Sequence, residues 1–162
     1  MKYDETLLPR KWSVYAGDRR IVVKKHPFER EEHVYMKIFI WALYLPEYPF
    51  LEIERSVDRR YKPDVVSVDE EGKPKFWAEA GHVSTRKLRW LLKRLPDTHL
   101  VFAKWAVALE PFISTIETHF HRSGRNGIVD VISFPQECGR RCVNERGIIH
   151  ISVTDIQWKR LQ

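Results

Sequence analysis

The sequence has only two cysteines, Cys138 and Cys142 in "CGRRC", and no apolar run as long as a bilayer requires. Two cysteines cannot form the multi-bridge framework that staples small secreted domains. The longest apolar stretch, "VYMKIFIWALYL" from Val34 to Leu45, falls short of the roughly 20 residues that span a membrane, and Lys37 interrupts it. The opening "MKYDETLLPRKW" lacks the apolar core of a secretory leader. A protein that crosses no membrane and works in a reducing cytoplasm is the expectation. Also missing are a glycine-rich phosphate loop and a Gly-x-Ser-x-Gly elbow, which removes P-loop and α/β-hydrolase chemistry from consideration. His119, His121, Cys138 and Cys142 are spaced as H-x-H and C-x3-C, which matches no standard zinc finger.

What is present is an ordinary globular composition with a basic balance. At 162 residues, 43% hydrophobic and 12% aromatic, the chain suits one domain, 1–162, with one main core. A formal net charge of +6 favours a polyanionic partner, nucleic acid first among them.

The order of patterns predicts the layers. "WSVYAGDRRIVVKK" reads as two short strands about a Gly-Asp turn. A helix is expected from Glu29 to Leu45, with acids in its first turn and Pro46 as its stop. "PDVVSV" and "KFWAEA" are strand-like and joined by the turn "DEEGKP"; Ser84 caps a helix running to Leu95. "HLVFAKW" is a strand, "LEPFISTIETHFHR" a helix, and "GIVDVISF" and "GIIHISV" two late strands. An α/β or α+β fold follows, a mixed central sheet flanked by helices.

The chemistry gathers around Asp64 and Glu79. Pro63 lacks an N–H and suits a strand start, so Asp64 sits where the strand begins. Alternation puts Phe76, Ala78 and Ala80 on one face of the next strand, and Trp77 and Glu79 on the other. Carboxylates on adjacent strands repel unless a cation or proton lies between them. Oxygen ligands alone point to magnesium or manganese over zinc. With Lys37 taken as the solvent side of the first helix, Glu32 falls nearly opposite it, Glu31 less deep and Glu29 toward the flank. Glu32 is thus the expected third carboxylate, as a capping group or a member of the site.

These residues carry a resemblance. "KPDVVSVDEEGKPKFWAEAG" resembles the Asp and Glu half of the PD-(D/E)xK nuclease signature, and the wider arrangement is similar to the YaeQ family of that superfamily. "HPFEREEHVYMKIFIWAL" and "WAEAGHVSTRKLRWLLKR" also look YaeQ-like, over about residues 12–105. The resemblance implies a restriction-endonuclease-like fold and metal-assisted hydrolysis of phosphodiesters in nucleic acid, DNA in the first instance. It implies Asp64 and Glu79 as ligands of magnesium or manganese, with Glu32 assisting. Where the signature has lysine this chain has Gly81, followed by His82 as a candidate proton carrier. Lys87 or Arg86, early in the next helix, is the candidate substitute cation. Arg86, Lys87, Arg89 and Lys93 form a basic face fit for a phosphate backbone. Two readings stay open: a rearranged nuclease, or an inactive nucleic-acid-binding or protein-interaction module on the same fold.

Overall fold

The computed structural model describes residues 8–162, leaving "MKYDETL" outside. In chain order its elements are strands β1 (Lys11–Ala16) and β2 (Arg19–Lys24), helix α1 (Glu31–Tyr44), strands β3 (Glu52–Ile53), β4 (Val65–Val68) and β5 (Pro74–Ala80), helix α2 (Thr85–Arg94) and strand β6 (His99–Trp105). Helix α3 (Glu110–Ser123), strand β7 (Val129–Phe134), the short helix α4 (Cys138–Arg141) and strand β8 (Gln157–Leu161) follow. Six strands form one mixed sheet in the order β3-β4-β5-β6-β7-β8, and β1 and β2 form a separate hairpin. The expected architecture, a mixed sheet with flanking helices, is the observed one. No helix of the described residues is long and apolar enough to cross a membrane.

The hairpin that carries the two carboxylates is antiparallel, pairing Val65 with Ala78 and Val66 with Trp77. Its turn is built by Asp69, whose Oδ1 accepts from the amides of Glu71 and Lys73, and by Gly72 at φ +81°. β5 then runs parallel to β6, and β6 parallel to β7, with α2 and α3 as the crossovers. β5 is therefore an inner strand, and Glu79 on it is sheltered.

The alternation read from "KFWAEA" sorts the two faces. Phe76, Ala78 and Ala80 join the core beneath α1, where Ile38, Phe39, Trp41 and Tyr44 pack. Trp77 joins the other core with Leu88, Leu91 and Leu92 of α2 and Ile113, Ile116 and Phe120 of α3. Burying such side chains contributes about 1.5–3 kcal/mol each, so both faces are strongly fixed. α1 is covered on two sides, since Val14 and Val23 of the β1-β2 hairpin belong to its core. That double covering explains its almost continuous apolar sequence.

Two expectations are corrected. Lys37 is not on a solvent face; it is 1% exposed and paired with Glu29 and Glu54. "GIIHISV" is not a sheet strand: it makes isolated bridges, Ile148 to Tyr15 and Ile149 to Val143, and the last strand is β8 beyond it. Its apolar residues serve the hairpin. β8 is an edge strand, exposed through Gln157–Lys159, so it carries little alternation to read.

Gly147 makes the hairpin contact possible. It lies at φ +78°, and a Cβ there would meet the Ser13 carbonyl oxygen at 2.2 Å, while Tyr15 N–H donates to the Gly147 carbonyl at 2.8 Å. Gly147→Ala is expected to cost about 2 kcal/mol through strain and overlap. A urea-unfolding midpoint equal to wild type would show that β1 needs no such close approach.

Candidate functional site

Asp64 stands one residue before β4, held by its own backbone. Its N–H donates to the Ala78 carbonyl at 3.0 Å, and its carbonyl accepts from the Glu54 amide at 2.9 Å. Its side-chain Oδ2 accepts from the Ala80 N–H at 2.7 Å, tying the carboxylate to the end of β5. Glu79 is only 4% exposed, on the face that looks at α2.

Lys87 meets it there. Ser84 Oγ accepts from the Lys87 amide at 3.1 Å, which starts α2 so that the lysine lies over the sheet. Lys87 Nζ sits 2.8 Å from Glu79 Oε1, and Trp77 Nε1–H donates to the same oxygen at 2.8 Å. Burial and the like charge of Asp64 push the Glu79 carboxyl above its usual range, although Lys87 and Trp77 pull it down. The Ala80 amide that Asp64 Oδ2 accepts from is the next along β5 after Glu79, which sets both carboxylates at the same strand end. The ammonium of Lys87 also lies 5.2 Å from the ring centre of Tyr61.

A second set of charges backs Asp64 from the α1 side. His33 Nε2 lies 3.2 Å from Asp64 Oδ1, and His33 Nδ1 lies 2.5 Å from Glu29 Oε2. Lys37 Nζ donates to Glu29 Oε2 at 2.6 Å and Glu54 Oε1 at 2.8 Å, and His26 Nε2 contacts Glu54 Oε2 at 2.9 Å. The hydrogen bond to Asp64 raises the His33 pKa against the effect of burial. Burial alone would raise Glu29, but Lys37, the His26 amide and His33 bring it to about 2.

Asp64, Glu79 and Lys87 come together. Glu32 does not join them: on α1 it is His33, the next residue, that turns toward Asp64. Glu32 instead lines a cavity of about 1040 Å³ with Trp12, Tyr35, Glu137 and Arg140. The helix was read from the wrong reference residue. Glu29, His33 and Lys37 recur at intervals of four and share the network, a spacing visible in the sequence once Lys37 is not assumed exposed. Arg86, Arg89 and Lys93 are exposed along α2, and His82 is exposed just past β5. Lys104 was missed altogether; from the neighbouring β6 its Nζ donates to the Gly81 carbonyl at 2.7 Å, and burial lowers its pKa.

Among the described residues no three His, Cys, Asp or Glu side chains form a ready metal cage. Cys138 and Cys142 are free and buried against each other. Magnesium does not need such a cage, because it commonly takes one or two carboxylates and completes its shell with water and phosphate oxygens. Glu79 commits Oε1 to Trp77 and Lys87, whereas Asp64 has Oδ2 on the Ala80 amide and Oδ1 beside His33 Nε2. Carboxylate oxygens are hard donors of the kind magnesium and manganese take, and a metal on Asp64 Oδ1 would displace His33 from it.

Comparison with solved structures finds the same fold in YaeQ proteins. The crystal structure of YaeQ protein from Xanthomonas axonopodis pv. citri matches with a TM-score of 0.59 and 18% identity, over 86% of this chain and 81% of that one. The crystal structure of YaeQ protein from Pseudomonas syringae matches with a TM-score of 0.59 and 18% identity, over 89% and 85%. No curated protein matches the sequence. The family model described as "YaeQ protein" matches residues 12–154. The chain belongs to the YaeQ family.

Proposed function

We propose that this protein is a divalent-metal-dependent nuclease of the PD-(D/E)xK type with a relocated lysine. The observation that carries the reading is Lys87 Nζ at 2.8 Å from Glu79 Oε1, beside Asp64. A lysine two residues after Glu79 is absent, since Gly81 stands there, and Lys87 brings an ammonium to the same carboxylate from the following helix. Asp64 and Glu79 would hold magnesium or manganese. The metal would supply Lewis acidity toward a phosphodiester and a more acidic bound water. Lys87 orients the Glu79 carboxylate and offers positive charge to a phosphate oxygen. His33 and Ala80 N–H hold the Asp64 carboxylate in place. The exposed cations of α2, Arg86, Arg89 and Lys93, would lie along the nucleic-acid backbone.

Isothermal titration with magnesium and with manganese tests the donor pair. Wild type is expected to bind, and Asp64→Ala to bind at least about tenfold more weakly, because half of the paired charge is gone. Cleavage of single-stranded, duplex and branched DNA in manganese tests the reaction. No metal binding by wild type would reject the nuclease. A non-catalytic module would then be the better account, with Glu79 neutralised permanently by Lys87.

A further inference from the structure

The turn that precedes α1 holds an aromatic side chain in an unusual place. His26, Pro27, Phe28 and Glu29 form a turn closed by the Glu29 N–H donating to the His26 carbonyl at 3.1 Å. Phe28, its third residue, lies at φ +65° and is fully exposed, at 102% of its reference area. Proline second and a left-handed residue third is the pattern of a type II turn, whose third position calls for glycine or asparagine. A bulky aromatic is costly there, and full exposure returns nothing from packing.

The surroundings enforce this conformation. His26 N–H donates to Glu29 Oε1 at 2.9 Å, His26 Nε2 contacts Glu54, and Glu29 Oε2 is held by Lys37 and His33. Glu54 is itself at a positive φ, +57°. Strain maintained by such a network gathers where function needs it. From Phe28 the chain of contacts runs through Glu29 and His33 to Asp64. A second aromatic, Tyr61, lies three residues before Asp64, with Lys87 and Arg60 within 5.6 Å of its ring centre. Lys24, Lys25 and Arg30 flank the turn in sequence.

We propose that the substrate of the Asp64/Glu79 site is single-stranded nucleic acid and that Phe28 stacks on one of its unpaired bases; this rests on the nuclease reading above. Aromatic platforms beside basic residues are how proteins hold single strands, because every unpaired base offers a π face. In a duplex those faces are already stacked, and an exposed phenyl ring gains nothing from them. Phe28 is thus a specificity residue, joined to Asp64 through Glu29 and His33.

The test is fluorescence anisotropy of the full chain with labelled phosphorothioate oligonucleotides of about 20 nucleotides, single-stranded and duplex, which resist cleavage during the measurement. Phe28→Ala is expected to lose about tenfold in single-strand affinity and to bind duplex within about twofold of wild type. Phe28→Trp should keep its affinity, and Phe28→Leu, apolar but without a π face, should fall with Phe28→Ala. Phe28→Gly should lose the affinity while its Tm rises by about 2–4 °C, because glycine relaxes the turn. Single-strand affinity unchanged in Phe28→Ala, or preserved in Phe28→Leu, overturns the assignment. So does preferred binding of duplex, and in each of these cases the nuclease reading survives. Wild type that binds neither oligonucleotide overturns both and leaves Phe28 to a protein partner.

Discussion

Replacing Lys87 by Met is expected to slow metal-dependent DNA cleavage by about two to three orders of magnitude, the usual effect of deleting one preorganised charge at a reacting phosphoryl or acyl centre. Met keeps the apolar stem, so the start of α2 is preserved, while the ammonium over the Tyr61 ring is lost with the charge. What disappears is the charge 2.8 Å from Glu79 Oε1. Glu79, already pushed up by burial and by Asp64, then loses one of the two groups that pull its pKa down. The variant should therefore need a higher pH than wild type to hold Glu79 ionised, and the acid limb of its pH-rate profile should move upward. A Lys87→Arg variant, which keeps the charge, should recover part of the rate. A rate in Lys87→Met equal to wild type would remove the lysine from the reaction and leave Lys104, at the Gly81 carbonyl, as the next cation to test.

The parts of this site that could be read from sequence were those set by local rules. Strand alternation sent Trp77 and Glu79 to one face, and the Ser84 cap phased α2 so that Lys87 returned to that face. Both depend on a few neighbouring residues and on periodicities of two and 3.6. Glu32 failed because its placement depended on which side of α1 met the sheet. α1 is apolar nearly all round, so the pattern gave no stripe, and the single lysine taken as a marker was buried by partners from distant segments, Glu29 and Glu54. A buried ion pair cannot be recognised from one of its members. Lys104 and the Gly81 carbonyl are joined only by the parallel pairing of β5 with β6, a contact between residues 23 positions apart. β8 escaped for the opposite reason: as an exposed edge it has no buried face to impose alternation.

The same distinction governs the largest stability effect expected in the molecule. Asp130, fully buried on β7, gathers partners from three other elements. Tyr44 O–H donates to its Oδ2 at 2.8 Å, His99 Nε2 lies 2.6 Å from that oxygen, and Arg160 donates to both oxygens at 2.8 and 3.0 Å. His99 passes the network to Tyr48, whose hydroxyl lies 2.9 Å from Nδ1. Burial would raise the Asp130 pKa, but His99 and Arg160, with Tyr44, hold it down at about 2. Asp130→Ala leaves three polar groups facing a vacated site and is expected to cost about 3–5 kcal/mol, the range for breaking a buried pair from one side. The sign of the pH effect follows from the depressed pKa. The contribution is complete above the ordinary carboxyl value of 3.8 and is lost as pH falls from there toward 2. Wild type should lose stability over that window, and Asp130→Ala should lose less of it. Tyr44 places the network on the α1 face, two strands from β5, so it shares no side chain with Glu79 and Lys87. Metal affinity in Asp130→Ala, measured well below its unfolding temperature, should therefore stay within about twofold of wild type, since sites without shared partners act independently. A large loss of metal affinity together with full folding would mean that the two faces of the sheet are coupled, and Asp130 would then belong to the site.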